Sequence, residues 1–486
     1  MLSAAGYERL DEMGSWQAAL RPGGKYYFTR NGSAIVAFAV GSSYQPGGGF
    51  NIIGAHTDSP CPKIKPLSKA SAHGYLQVGV APYGGGLWHT WFDRDLSIAG
   101  RALVRDAKSG SVTPRLVKIA KPIMRIPTLA IHLSRTVNSE GFKPNFQTHM
   151  LPVLATSIKD ELNKPAGDGT GTVADAAAGK KRARTEGGSG GNGGEGGGQV
   201  AAAGVAGEPT QAHHSVLVRL LASELGVAPE DIVDVDLQVC DTQPSAVGGI
   251  YDEFIFSGRL DNLHMSWCAL KALADTTSGA RDSLAGETGV RMVALFDHEE
   301  VGSSTAVGAG SPMMRDCMSR VSKVLGQGEE GVCERAVQRS FLVSADMAHG
   351  VHPNYAEKHE PHHRPAMHKG LVIKHNANQR YVTTGVSASL FRELATRNGL
   401  PVQEFCVRND MGCGSTIGPI TSAKIGMRAV DVGPSQFSMH SVREMCGVDD
   451  VAFSVEHFRL FFDQASAMLE MIDVEYLPSC YAVLEP

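Results

Sequence analysis

The chain has 486 residues, a length that suggests about three domains of ordinary size. Its 42% hydrophobic and 20% charged residues exclude whole-chain disorder, and a formal charge of -5, from 45 basic and 50 acidic side chains, gives no global basic footprint for nucleic acid. No apolar run reaches the roughly 18 residues that a membrane-spanning helix needs.

In chain order, the start from Met1 to Arg9 lacks an apolar stretch of the secretory type, so a cytoplasmic, reducing compartment is expected. The nine cysteines fit that expectation: their spacings are long, no CxxC pair occurs, and they read as buried thiols. The first informative apolar run, Asn51 to Ala55, ends in His56-Thr57-Asp58. A second, Met150 to Ile158, leads into Lys159-Asp160-Glu161-Leu162. From about Pro165 to Gln211 the composition changes to Gly, Ala and small polar residues, and nine of the twelve residues from Gly187 to Gly198 are Gly. Such a stretch cannot offset the entropy of ordering and is predicted to be a disordered insertion; its Lys180 to Arg184 run reads as a solvated charge run in a linker.

Beyond the insertion, His214 to Gly226 has helical period and a glycine stop, and Ile232 to Val239 alternates as a half-buried strand does. Val290 to Phe296 and Ser340 to Ala345 read as buried strands. Helices are predicted over Asp261 to Ala274, Met313 to Val324, Ser387 to Asn398 and Val451 to Ile472. Strands alternating with helices predict an α/β fold built on a mainly parallel sheet.

Acidic and histidine residues stand just after the apolar runs. His56 and Asp58 follow one. Asp297-His298-Glu299-Glu300 follows Phe296, and Asp346 and His349 follow Ala345. Asp261 follows the run that begins at Phe254, and His440 follows Phe437-Ser438-Met439. Open α/β sheets form their sites beyond the carboxyl ends of strands, so five segments are placed to deliver ligands to one crevice. Two histidines with three carboxylates suit a pair of zinc ions sharing one bridging carboxylate. Of the adjacent Glu299 and Glu300, one is left over as a general base. In His56-Thr57-Asp58 the Asp can orient the His by accepting from its second ring nitrogen. The loop from His359 to Arg364 reads as a polar loop rather than a further metal site, and the glycines of the 410–419 stretch read as a turn lining the crevice.

These residues resemble the aspartyl aminopeptidases, a family of cytosolic dinuclear zinc exopeptidases. The motifs are Gly54-Ala55-His56-Thr57-Asp58-Ser59-Pro60, Gly258-Arg259-Leu260-Asp261-Asn262, Asp297-His298-Glu299-Glu300-Val301-Gly302-Ser303, Ser344-Ala345-Asp346-Met347-Ala348-His349-Gly350 and Met439-His440-Ser441-Val442-Arg443-Glu444. The resemblance covers nearly the whole chain outside the Gly-rich insertion. It implies that His56 and Asp346 bind one zinc, that Glu300 and His440 bind the other, that Asp261 bridges both, and that Glu299 is the general base. It further implies that His349, Lys374 and Tyr381 contact substrate and that His132 is lent to a neighbouring subunit's site. The family's N-terminal helix would end about where this sequence begins. The implied architecture is a catalytic domain of the zinc exopeptidase type, residues 1–59 and 241–486, with an inserted β-rich dimerisation domain, residues 60–240. The implied activity is removal of N-terminal Asp or Glu from peptides by a homo-oligomer, a dodecamer in the family, with no nucleic-acid or membrane partner. A broader dinuclear exopeptidase or deacylase, or a non-catalytic shell that binds metal or peptide, are the competing readings.

Overall fold

A computed structural model describes residues 1–163 and 209–471; most of the Gly-rich insertion, with Lys180 to Arg184, lies outside the described residues. The chain divides into two units. The first comprises Met1–Cys61, Pro82–Trp91 and the chain from Gln243 on; the second comprises Pro62–Ala81 and Phe92–Thr242. The short segment Pro82–Trp91 thus groups with the first unit although its chain neighbours on both sides belong to the second.

The first unit is an α/β sandwich. Its central strands are Val290–Phe296, Phe50–His56, Phe341–Ala345 and Arg428–Phe437, hydrogen-bonded in that order and all parallel. Antiparallel strands flank them: Ala34–Val40 pairs with Val290–Phe296, and Lys25–Arg30 pairs with Ala34–Val40. On the other side Leu371–His375 pairs antiparallel with Arg428–Phe437. Val290–Phe296, Phe50–His56 and Phe341–Ala345 are buried along their whole length, which is why they read as apolar-rich runs without alternation; their single interior polar residues, Arg291, Asn51 and Ser344, are buried too.

Successive side chains of these strands point to opposite faces and feed two separate cores. Ile53, Ala55, Val293, Leu295, Val343 and Ala345 face the helices Leu260–Asp275, Gly385–Arg397 and Val448–Glu470. Ile52, Met292, Ala294, Phe296 and Leu342 face the helices Met313–Leu325, Val332–Gln338 and Ile417–Ile425. A sheet covered by helices on both faces is the doubly wound arrangement expected of alternating strands and helices. The helix Gly385–Arg397 starts where Thr384 and Ser387 form a reciprocal capping box.

The second unit is β-rich. Its sheet runs Val112–Lys118, Leu96–Arg105, Ile232–Asp241, Cys61–Ala72, Tyr75–Tyr83, Val153–Thr156, with antiparallel pairing between Ile232–Asp241 and Leu96–Arg105. The predicted helix after the insertion spans Ser215–Leu225 and stops at Gly226, whose φ of 65° is the left-handed cap that glycine adopts without strain. Among the described residues all cysteines are free thiols, and no helix is long and apolar enough to cross a membrane.

Candidate metal centre

Four of the central strand ends and one helix start meet at one place. His56 is the last residue of its strand. Glu299 and Glu300 sit on a single 3-10 turn, Glu299–Val301, entered through His298 at φ 63° and left through Gly302 at φ 97°. Asp346 directly follows the strand Phe341–Ala345, and His440 lies three residues past Phe437. Asp261 occupies the first turn of Leu260–Asp275, where its own φ and ψ of -82° and 104° are not helical, so its side chain departs from the helix line.

Distances show how tightly these groups converge. His56 Nε2 stands 3.4 Å from Asp261 Oδ1, 3.6 Å from Asp346 Oδ1 and 3.9 Å from Glu299 Oε2. His440 Nε2 stands 3.3 Å from both Asp261 Oδ2 and Glu300 Oε2. The two oxygens of Asp261 therefore face different histidines. Lys374 Nζ reaches Asp346 Oδ2 at 3.4 Å, donates to the Met347 carbonyl at 2.7 Å, and stands 5.4 Å from the centre of the Tyr381 ring.

The surroundings fix these side chains. Asp58 Oδ1 accepts from the Glu299 N–H at 3.0 Å, and Oδ2 accepts from the Glu300 N–H at 3.1 Å and from the Tyr83 hydroxyl at 2.7 Å. His56 Nδ1 meets the Asp58 carbonyl at 3.0 Å; a carbonyl only accepts, so Nδ1 carries a proton and Nε2 is the nitrogen that faces the centre. Glu444 does similar work on the opposite side. Its Oε1 accepts from the His440 N–H at 2.8 Å and its Oε2 from the Asp261 N–H at 3.0 Å.

The electrostatics of the cluster call for a cation. Burial, reinforced by neighbouring Asp346 and Asp261, pushes the Glu299 carboxyl up to about 7. Burial and Asp261 push Glu300 up to about 9. Burial works against the charged form of His440, yet Asp261 and Glu300 hold it up at about 10. Asp58 resists its own burial and is held below the usual carboxylate range, chiefly by His56. Carboxylates this close cannot all ionise in a dry site unless positive charge joins them.

Zinc is a fitting ion. It takes imidazole nitrogen and carboxylate oxygen, the donors gathered here. His56, Asp261 and Glu300 each offer one ligand atom, all within 4.8 Å of one another. The buried Asp261 Oδ1 and Glu300 Oε1 find no hydrogen-bond donor of normal geometry among the described residues, as expected of oxygens kept for a metal.

Beside the centre lies a cavity of 310 Å³, lined among others by His349, Tyr381, Phe405, Gly412, Phe437 and Met439. His349 is exposed to this cavity, and desolvation by the groups around it, helped by the Lys374 charge, lowers its pKa from the ordinary value. Gly412, Cys413 and Gly414 line the cavity in an irregular stretch just after a turn at 409–411, while Gly418 falls in the helix Ile417–Ile425. In the 359–364 loop, His363 Nδ1 pairs with Glu360 Oε2 at 2.5 Å.

Of the predicted site residues, His56, Asp58, Asp261, Glu299, Glu300, Asp346, Lys374 and His440 are joined by these contacts, while His349 and Tyr381 border the adjoining cavity. His132 belongs to the second unit, in the exposed turn Ile131–Leu133. Sequence reasoning assigned no role to Glu444 or Tyr83. Glu444 stood in plain view four residues after His440; Tyr83 left no mark, because one Tyr before three glycines looks like a turn.

A family model described as aminopeptidase I zinc metalloprotease (M18) matches residues 1–462. A probable aspartyl aminopeptidase of Ricinus communis is 55% identical over 477 residues, covering 98% of this chain and 92% of the relative. The aspartyl aminopeptidase of Dictyostelium discoideum is 46% identical over 470 residues, covering 96% and 91%. Among solved structures, a cryo-EM structure of the Ape4 and Nbr1 complex superposes with a TM-score of 0.86 at 40% identity, covering 98% of this chain and 83% of that one. The S. cerevisiae mApe1 dodecamer superposes with a TM-score of 0.77 at 28% identity, covering 97% and 92%.

Proposed function

The chain belongs to the aminopeptidase I zinc metalloprotease family (M18), and from that premise we propose that it removes acidic residues, Asp or Glu, from the N-terminus of peptides with two zinc ions per subunit. The observation that carries the reading is the pair of histidines on opposite oxygens of Asp261. That arrangement supports Asp261 as a bridging ligand, His56 and Asp346 as ligands of one zinc, and Glu300 and His440 as ligands of the other. Zinc, when bound, is a Lewis acid that acidifies water and polarises a carbonyl.

The protein's own groups supply the rest. Glu299 is the general base: its carboxylate takes the proton from the attacking water and returns it to the leaving nitrogen, an effect typically of order 10²–10⁴ in rate. Asp58 holds the backbone of Glu299 and Glu300 and the ring of His56, so base and ligands move as one piece. Lys374 is the cation for the substrate's acidic side chain. Its ammonium has three donors; among the described residues the Met347 carbonyl and Asp346 engage it, with the Tyr381 ring beside it. Tyr381 and His349 line the adjoining cavity and contact substrate.

The relatives' names support the acidic specificity, and the mApe1 dodecamer supports a homo-oligomer; in the same proposal the β-rich unit is the dimerisation domain and His132 is lent to a neighbouring subunit. The free thiols fit a cytoplasmic location.

The test is to strip the protein of metal, reload it with zinc, and assay peptides that begin with Asp, Glu or Leu and an N-blocked Asp peptide. Turnover restored by zinc and confined to free acidic N-termini is expected. Equal turnover of the Leu peptide, or cleavage of the blocked one, would reject the assignment; zinc uptake without turnover would identify a binding shell.

A further inference from the structure

The segment Pro82–Trp91 is a short strap across the metal centre, and its contacts are concentrated on the liganding groups. Tyr83 donates its hydroxyl proton to Asp58 Oδ2 at 2.7 Å, the same carboxylate that holds the Glu299 and Glu300 amides. Two residues on, the Gly85 carbonyl stands 3.0 Å from His440 Nδ1. A carbonyl can only accept, so His440 keeps its proton on Nδ1 and turns Nε2 toward Asp261 and Glu300. The Leu87 N–H donates to the His440 carbonyl at 2.9 Å, and Thr90 Oγ1 accepts from the Val442 N–H at 3.0 Å, so the strap also grips the backbone that carries His440. Between these contacts, Gly84 has φ 78°, and a Cβ there would stand 3.1 Å from Glu300 Cβ. Only a glycine lets the strap lie this close to Glu300 without strain.

Three consecutive residues, Tyr83, Gly84 and Gly85, thus touch the support of His56, the back of Glu300, and the ring of His440. Partners behind a metal-binding imidazole fix its tautomer and orientation and raise its basicity, and losing one typically costs about 10–100-fold in metal affinity or activity. We propose that this strap is a positioning element for the metal centre, and that Tyr83 is a positioning residue that acts on His56, Glu299 and Glu300 through Asp58. The inference rests on the function proposed above.

The experiment compares the full chain with its Tyr83→Phe and Gly84→Ala variants. The first removes only the hydroxyl, and the second presses a methyl toward Glu300. Zinc retention is read by competition with a colorimetric chelator, kcat and KM on an Asp peptide, and thermal unfolding on zinc-free protein. Expected for Tyr83→Phe is about tenfold weaker zinc retention and a lower kcat at unchanged KM, with the unfolding of the zinc-free protein unmoved. Gly84→Ala is expected to weaken retention in the same way. Parent-like retention and kcat in both variants overturn the proposal, as does a Tyr83→Phe loss that follows a lowered stability of the zinc-free protein. A parent chain that takes up no zinc instead ends the reading of the site on which the strap's role depends.

Discussion

Replacing Glu444 by Gln keeps the size and shape of the side chain, yet the geometry predicts a large effect. Glu444 is buried, and each of its oxygens accepts one backbone N–H, from Asp261 and from His440. A carboxamide has only one oxygen, so whichever way it is turned, an NH₂ group faces an N–H donor. One hydrogen bond is lost, worth about 0.5–1.5 kcal/mol, and a buried donor left unpaired costs roughly 1–3 kcal/mol more. The sum is about 1.5–4.5 kcal/mol, applied to the two residues that face each other across the centre. If about 3 kcal/mol falls on the metal-competent arrangement, zinc affinity drops roughly 100-fold. The assay is zinc competition on purified Glu444→Gln, with the secondary structure of the zinc-free protein followed by circular dichroism. Zinc affinity within twofold of the parent would refute the reasoning and show that these two hydrogen bonds do not hold the metal-competent arrangement.

Glu299→Gln is expected to retain zinc and lose about 10²–10⁴ in kcat; turnover equal to the parent's in steady-state assays would remove Glu299 as the base. Lys374→Met, which keeps the apolar stem, is expected to lower kcat/KM for Asp peptides roughly 100-fold more than for Leu peptides, and equal losses on both would discard its role in selectivity. His457 is buried against Phe391, with ring centres 4.1 Å apart, and desolvation lowers it to about 4. The folded chain therefore resists a proton that the unfolded chain takes up near 6.5, so stability falls as pH drops from about 6.5 to 4, by up to about 3 kcal/mol. In denaturant titrations at pH 7 and pH 4.5, His457→Leu should lose less stability on acidification than the parent; an unchanged difference would assign the acid sensitivity elsewhere.

The liganding groups were legible in the sequence because fully buried parallel strands announce themselves as apolar-rich runs without alternation. Val290 to Phe296 is such a run, interrupted only by the buried Arg291, and the cluster of polar residues after it marks the sheet's edge. The long helices were legible within a few residues, from their period. Ala34–Val40 was less so: an Ala-rich apolar run serves a helix or a strand equally, and its antiparallel pairing with Val290–Phe296 settles which. The second unit was hardest to read, since a strand such as Val112–Lys118 is exposed at every position but Val117 and carries no buried pattern. Glu444 and Tyr83 escaped for another reason. Neither closes an apolar run: Tyr83 acts through Asp58, 25 positions away, and Glu444 through the backbone of His440 and of Asp261, the latter 183 positions away.

The three adjacent central strands that end in His56, in the Glu299–Glu300 turn and in Asp346 belong to one hydrogen-bonded ladder. Neighbouring strands in any sheet lie about 4.8 Å apart, a spacing set by the peptide group itself. The separation of these donor groups is therefore inherited from the backbone, as teeth are spaced by the comb that carries them. The loops bordering the cavity, around 350–366 and 407–416, hang free of that ladder. Their length and sequence can change without altering that spacing.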